Sequence, residues 1–106
     1  MLKHRVCYGT ASLLIFAGSA LSLAQTGADT YKAKCQMCHG ATGLGDTPAG
    51  KAMKARPFNS PDVLKESDAD LIAIIKNGKN KMPAFAGKLT DAQINDVLAF
   101  IHTLPK

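Results

Sequence analysis

Two cysteines three positions apart, with a histidine directly after the second, stand in the stretch KCQMCHG from Lys34 to Gly40. On a helical turn, residues at i and i+3 present their side chains to one side. The thiols of Cys35 and Cys38 therefore share a space, and His39 can swing a ring nitrogen toward it. Two thiols can add across the two vinyl groups of haem with the adjacent imidazole under the iron, and C-x-x-C-H is the signature of that covalent attachment. His39 is then the proximal axial ligand. Other chemistries compete. A dithiol redox site also uses C-x-x-C, but beside a βαβ pattern, and no stretch of this chain has a period of two. A closed zinc site needs further ligands, and downstream of His39 there is only His102. Two inert cysteines are the plainest reading, although an exported dithiol without further chemistry tends to oxidise.

A second candidate lies far downstream in NGKNKMPAF. Methionine is ordinarily core filler on an amphipathic face. Met82 instead follows the polar, flexible run KNGKNK and precedes Pro83, which keeps it out of helix and its backbone extended. A loop there can fold over the haem face opposite His39. Met37 is locked inside the cysteine motif, and Met53 sits between Lys51 and Lys54, so both are poorer candidates.

The elements that must position these groups are helical. Residues 1–24 have Lys3 and Arg5, then an apolar run from Val6 to Leu23, and end on the small residues Ser22 and Ala24. This is the layout of a secretory signal peptide, which takes Cys7 with it. The rival is an uncleaved anchor, because the run approaches the length of a membrane span. Residues 25–106 then form one small domain without tryptophan. A chain that short needs a staple, a metal or a cofactor to complete its core, and Cys35 and Cys38 are too close to staple distant parts. The formal net charge of +5 for the whole chain falls further when Lys3 and Arg5 leave. With no long basic run or interleaved aromatics, nucleic acid is excluded as a partner.

TGADTYKAKCQMCHG reads as a short helix starting near Asp29 or Thr30 and ending around His39 and Gly40. GATGLGDTPAG reads as loop. One short helical turn fits before Pro57, after which Pro57 and Pro61 keep the chain irregular. SDADLIAIIKNG is a helix capped by Ser67 and stopped at Gly78. The last helix starts with a Thr90–Gln93 capping box, buries Ile94, Val97, Leu98 and Ile101, and closes at Pro105. The expected class is all-α, with about three main helices and a short one.

The chain from Gly27 onward resembles the class I c-type cytochromes, small monohaem electron carriers. Gly27, Tyr31 and CQMCHG are similar to the family's glycine, aromatic and attachment motif; MPAF is similar to its distal-ligand loop and LTDAQINDVLAFIHTL to its closing helix. The resemblance implies a cytochrome c fold around one haem c, joined through Cys35 and Cys38 and ligated by His39 and Met82. It implies that Gly27 and Tyr31 meet the last helix near Phe100, and that the Pro48 carbonyl accepts a hydrogen bond from His39. The family tryptophan near the propionates is absent; Lys51, Lys54 and Arg56 have the charge to replace it. With both axial positions filled, the chemistry is outer-sphere electron transfer and the protein is not an enzyme. Leu71, Ile75, Phe85 and Leu98 are expected around the haem. Lys76, Lys79, Lys81 and Lys88 are expected to rim its exposed edge and steer acidic redox partners, and His102 to lie on the surface. The expected protein is a periplasmic monomer with no stable membrane insertion once the signal is cleaved. A permanently bound haem subunit of a dehydrogenase or terminal oxidase, or a small haem peroxidase, is the alternative.

Overall fold

The computed structural model describes residues 19–106, with side chains from Thr26 onward. Cys7 and the expected charged start of the signal lie outside the described residues. The elements in chain order are α1 (Ser19–Lys34), α2 (Gln36–His39), α3 (Pro48–Ala52), α4 (Pro61–Leu64), α5 (Asp68–Asn77) and α6 (Asp91–Ile101). No strand occurs among the described residues, and the class is all-α as expected.

Helix α6 forms where the sequence places it. The Thr90 hydroxyl accepts from the Gln93 N–H at 3.1 Å, and the Gln93 side chain accepts from the Thr90 N–H at 2.9 Å. Such a cap is worth about 1 kcal/mol. Ile94, Val97 and Leu98 are buried and Ile101 half-buried, so the i, i+3, i+4, i+7 stripe faces inward. Helix α5 starts equally plainly, with the Ser67 hydroxyl accepting from the Asp70 N–H at 3.2 Å. Asp68 and Asp70 sit in its positive first turn.

Helix α1 corrects the expected start. Asp29 and Thr30 lie mid-helix, because the Ala- and Leu-rich stretch from Ser19 continues the helix upstream. It packs on α6 at a point set by Gly27. A Cβ there would fall on the Asp96 carbonyl and within 3.1 Å of the Phe100 Cβ, so only glycine lets the backbones meet. One turn on, the Tyr31 and Phe100 rings are tilted together at 5.2 Å.

Two prolines depart from the expected irregular chain for a physical reason. Pro48 and Pro61 do not prolong irregular chain; each opens a short helix, α3 and α4, at the first position, where the missing N–H costs nothing. The single short helix expected is therefore three. Eight apolar side chains are buried among the described residues, Tyr31, Ile94 and Val97 most completely. That is a thin core for a domain of this size, and a cleft occupies the place where more would be.

Candidate functional site

Helix α1 ends at Lys34, and the chain turns once at Cys35 before α2. The Cys35 N–H donates to the Tyr31 carbonyl at 2.8 Å, the His39 N–H to Cys35 at 3.0 Å and the Gly40 N–H to Gln36 at 2.9 Å. Gly40, at φ 81, then reverses the chain. The motif is braced from two sides. Buried Tyr31 donates its hydroxyl to the Gly40 carbonyl at 2.6 Å. Thr47, the cap of α3, donates to the Met37 carbonyl at 2.6 Å while accepting from the Gly50 N–H at 2.9 Å. These braces leave the thiols of Cys35 and Cys38 and the ring of His39 lining one cleft.

The thiols are unpaired. Burial, and secondarily the neighbouring Cys38, push the Cys35 thiol up to about 11. A redox dithiol needs its attacking sulfur driven the other way, toward thiolate, so the geometry argues against that reading. The imidazole of His39 stacks on Phe58 at 4.7 Å and 26°. Burial, then the charge of Arg56, lower its proton affinity. It is held neutral, the form that ligates metals. Its Nδ1 is buried with no hydrogen-bond partner among the described residues. The bond expected from His39 to the Pro48 carbonyl is therefore not formed, and Phe58 orients the ring instead. Nothing in the sequence pointed to Phe58, because its role depends on the Phe58 N–H bonding the Gly43 carbonyl at 2.8 Å.

Met82 reaches the same cleft from the opposite end of the chain. Its loop, expected to be flexible, is a tight hairpin. The Lys79 N–H donates to the Met82 carbonyl at 3.2 Å and the Met82 N–H to the Lys79 carbonyl at 2.9 Å, with Asn80 at φ 53 in the turn. The closing side is sewn to α5: the Phe85 and Ala86 N–H groups donate to the Ile75 and Lys76 carbonyls, both at 3.0 Å. Those carbonyls belong to the last turn, whose acceptors have no intrahelical partners. Met82 is half-buried and packs, with Ile72, against the core cluster formed by Ile75, Phe85, Leu89 and Ile94. Of the other methionines, Met37 is 78% exposed and points away, whereas Met53, 47% exposed, also lines the cleft.

The cleft holds about 190 Å³. Its walls are apolar, with Val63 from α4, Leu71 and Ile75 from α5, Leu98 and Ile101 from α6, and Phe85 from the segment between α5 and α6. Lys34, Lys54, Arg56, Lys79 and Lys81 line it too, and no carboxylate does among the described residues. Lys51 does not reach it. Nor do Lys76, which pairs with Asp91 at 2.9 Å, and Lys88, which stands over the Phe85 ring. The lysines expected along one rim are thus divided. His102 is exposed and bonds Asp68 at 2.8 Å, away from the cysteines. Two thiols, a neutral imidazole and a thioether converging on an apolar cleft fit a haem, whose charged carboxylate groups suit the cationic lining.

The chain is similar to known proteins over most of its length. The profile of the family described as "Cytochrome C oxidase, cbb3-type, subunit III" matches residues 22–101. Cytochrome c6 of Thermosynechococcus vestitus is 38% identical over 91% of this chain and 85% of its own length. Cytochrome c6 of Synechococcus elongatus is 40% identical over 71% and 83%, and that of Nostoc sp. 38% over 85% and 81%. No solved structure matches the chain. Covering residues 22–101 and most of each relative, these likenesses show that the chain belongs to the class I c-type cytochromes, monohaem electron-transfer proteins with one covalently attached haem c.

Proposed function

We propose that Cys35 and Cys38 hold the haem through two thioethers, that His39 and Met82 are its axial ligands, and that the protein shuttles single electrons between periplasmic or membrane-bound redox partners. The observation that carries this reading is the convergence of Cys35, Cys38, His39 and Met82 on one apolar cleft from two ends of the chain. When bound, the haem supplies a ferric–ferrous couple. The chain's own residues set its terms. His39 and Met82 would together fill the iron's two open positions, which would leave no site for oxygen or peroxide. The thioether of Met82 favours the ferrous state, and the walls formed by Leu71, Ile75 and Leu98 disfavour the extra charge of the ferric state. Both push the potential upward.

The cationic lining supports redox partners with acidic docking surfaces. Among the described residues no helix is long and apolar enough to cross a membrane, and residues 1–24 are read as a cleaved export signal that delivers a monomer to the periplasm. A standing subunit of a terminal oxidase, suggested by the matched family's description, is disfavoured because cytochrome c6 proteins match over more than four fifths of their own lengths.

The test is to express the chain in a host with c-type maturation machinery and record a pyridine haemochrome spectrum with an intact mass. The expected result is one haem with two thioethers on a chain beginning at Gln25, with a ferric absorption band from the iron–methionine bond. A single thioether, or the loss of all haem in denaturant, refutes the attachment proposed.

A further inference from the structure

Glu66 lies in the link between α4 and α5, behind the cleft. It contributes nothing to the lining, yet both residues it pairs with do. Its Oε1 is 3.4 Å from Arg56 Nη1 and its Oε2 3.4 Å from Arg56 Nη2, a fork facing a fork. The same Oε1 is 3.9 Å from Lys79 Nζ. The Glu66 side chain is 20% exposed, against 76% for Asp62, 67% for Asp68 and 80% for Asp91, the acidic partners of Lys65, His102 and Lys76. One well-covered carboxylate therefore joins three separate segments: the stretch after α3 through Arg56, its own link, and the Met82 hairpin through Lys79.

We propose that Glu66 is a positioning residue for the electron-transfer site, tethering the Met82 hairpin through Lys79 and offsetting the positive field that Arg56 and Lys79 direct into the cleft. The proposal rests on the reading of the cleft as the haem site and of Met82 as an axial ligand. Lys79 opens the hairpin whose other end is Met82, and the two residues are bonded in both directions. A restraint on Lys79 is thus a restraint on Met82. The electrostatic part follows from sign. Two cations lining the cleft disfavour the ferric state, a carboxylate immediately behind them favours it, and a partly covered site screens neither as fully as water does. Glu66 lowers the potential while making the methionine harder to displace, and the two effects have separate causes.

The experiment uses the haem-bearing protein with Glu66→Gln and Glu66→Asp, measuring midpoint potential and the affinity of the ferric form for imidazole, a neutral competitor of Met82. Glu66→Gln is expected to shift the potential to more positive values and to tighten imidazole binding about two- to fivefold, the span that partly exposed ion pairs support. Glu66→Asp keeps the charge but loses reach. It is expected to tighten imidazole binding similarly while its potential stays near that of the parent. An unchanged potential or an unchanged imidazole affinity in Glu66→Gln overturns the proposal. If the parent protein itself lacks the iron–methionine band, Met82 is not the ligand, and it is the underlying reading that fails.

Discussion

The Tyr31 hydroxyl donates to the Gly40 carbonyl at 2.6 Å, tying the last turn of α1 to the residue that follows His39. The bond closes a loop around the whole C-x-x-C-H motif, so the position of the imidazole depends on a tyrosine eight residues before it. Tyr31 is also 1% exposed and in contact with Phe100 on α6. The helix crossing and the motif are therefore a single construction.

Tyr31→Phe keeps the ring and removes the donor, leaving the Gly40 carbonyl with only the longer bond from the Gly43 N–H at 3.3 Å. The expected loss at neutral pH is about 1 kcal/mol. Burial, and secondarily Cys35, push the Tyr31 hydroxyl up to about 12 from its ordinary 10; once Cys35 is a thioether it carries no charge and only burial remains. Between those values the unfolded chain releases a proton that the folded chain keeps, so stability falls as pH rises through the window. Denaturant unfolding of the ferrous protein at pH 7, 10 and 11.5 checks this. The phenylalanine variant is expected to be weaker at pH 7 but to lose less between pH 10 and 11.5. Equal losses in both proteins would place the titrating group elsewhere.

Gly27→Val puts a branched side chain where even a Cβ falls on the Asp96 carbonyl. Valine is slightly better than glycine in a helix interior, so propensity and packing predict opposite signs. Packing wins, because the obstacle is backbone and cannot rotate aside. A destabilisation of about 2–3 kcal/mol is expected, in the upper part of the range for overpacking. Ala33→Val, at an exposed position on the same helix, is expected to cost less than about 1 kcal/mol. Thermal unfolding of the two variants decides between the effects.

What was legible in the sequence is what local chemistry dictates. The caps at Ser67 and Thr90, the stop at Gly78 and the apolar stripe of α6 follow from a few neighbouring residues, and all are present. The glycine and tyrosine of α1 were legible only through family likeness, since a contact between Gly27 and Asp96 leaves no local pattern. What was not legible depends on partners far along the chain. Phe58 stacks on His39 only because the loop after α3 returns past Gly43, and Glu66 meets Arg56 and Lys79 only because three segments converge. Pro48 and Pro61 were ambiguous in a different way. A proline begins a helix as readily as it prevents one, and Thr47 or Ser60 immediately before it was the available hint.

Met82→Ala on the proposed ligation removes the soft sulfur and leaves His39. The haem is expected to stay attached while the potential falls and the ferric protein binds cyanide and imidazole more tightly. The structure supplies a specific rival, because Met53 lines the same cleft. Met53 is 47% exposed, on a turn ahead of Lys54 at φ 56, whereas Met82 is held by its hairpin and packed against the core cluster that includes Ile75 and Phe85. Met53→Ala is therefore expected to leave the potential and the iron–methionine band unchanged. Loss of the band in Met53→Ala and its survival in Met82→Ala would reverse the assignment.

The cations around the cleft are not equivalent, and their differences give the last test. Lys76 has its charge offset by Asp91 at 2.9 Å, Lys79 shares Glu66, and Lys88 leans over the Phe85 ring at 5.9 Å. Lys81 is exposed, lines the cleft and makes no ion pair among the described residues. Lys34 and Lys54 share these traits, but Lys81 alone of the three stands next to Met82, so its charge is available to an anion approaching the cleft from the hairpin side. Ferrocyanide, with four negative charges, is a suitable small reductant for the ferric protein. Near physiological salt, where screening acts over about 8 Å, one such lysine is expected to be worth about threefold in rate. Lys81→Gln should slow reduction by that factor and flatten its dependence on ionic strength, while Lys76→Gln, which removes the same formal charge away from the cleft, should change both much less. Equal slowing by the two substitutions would mean that the anion responds to net charge alone, and the steering assigned to the cleft lining would be wrong.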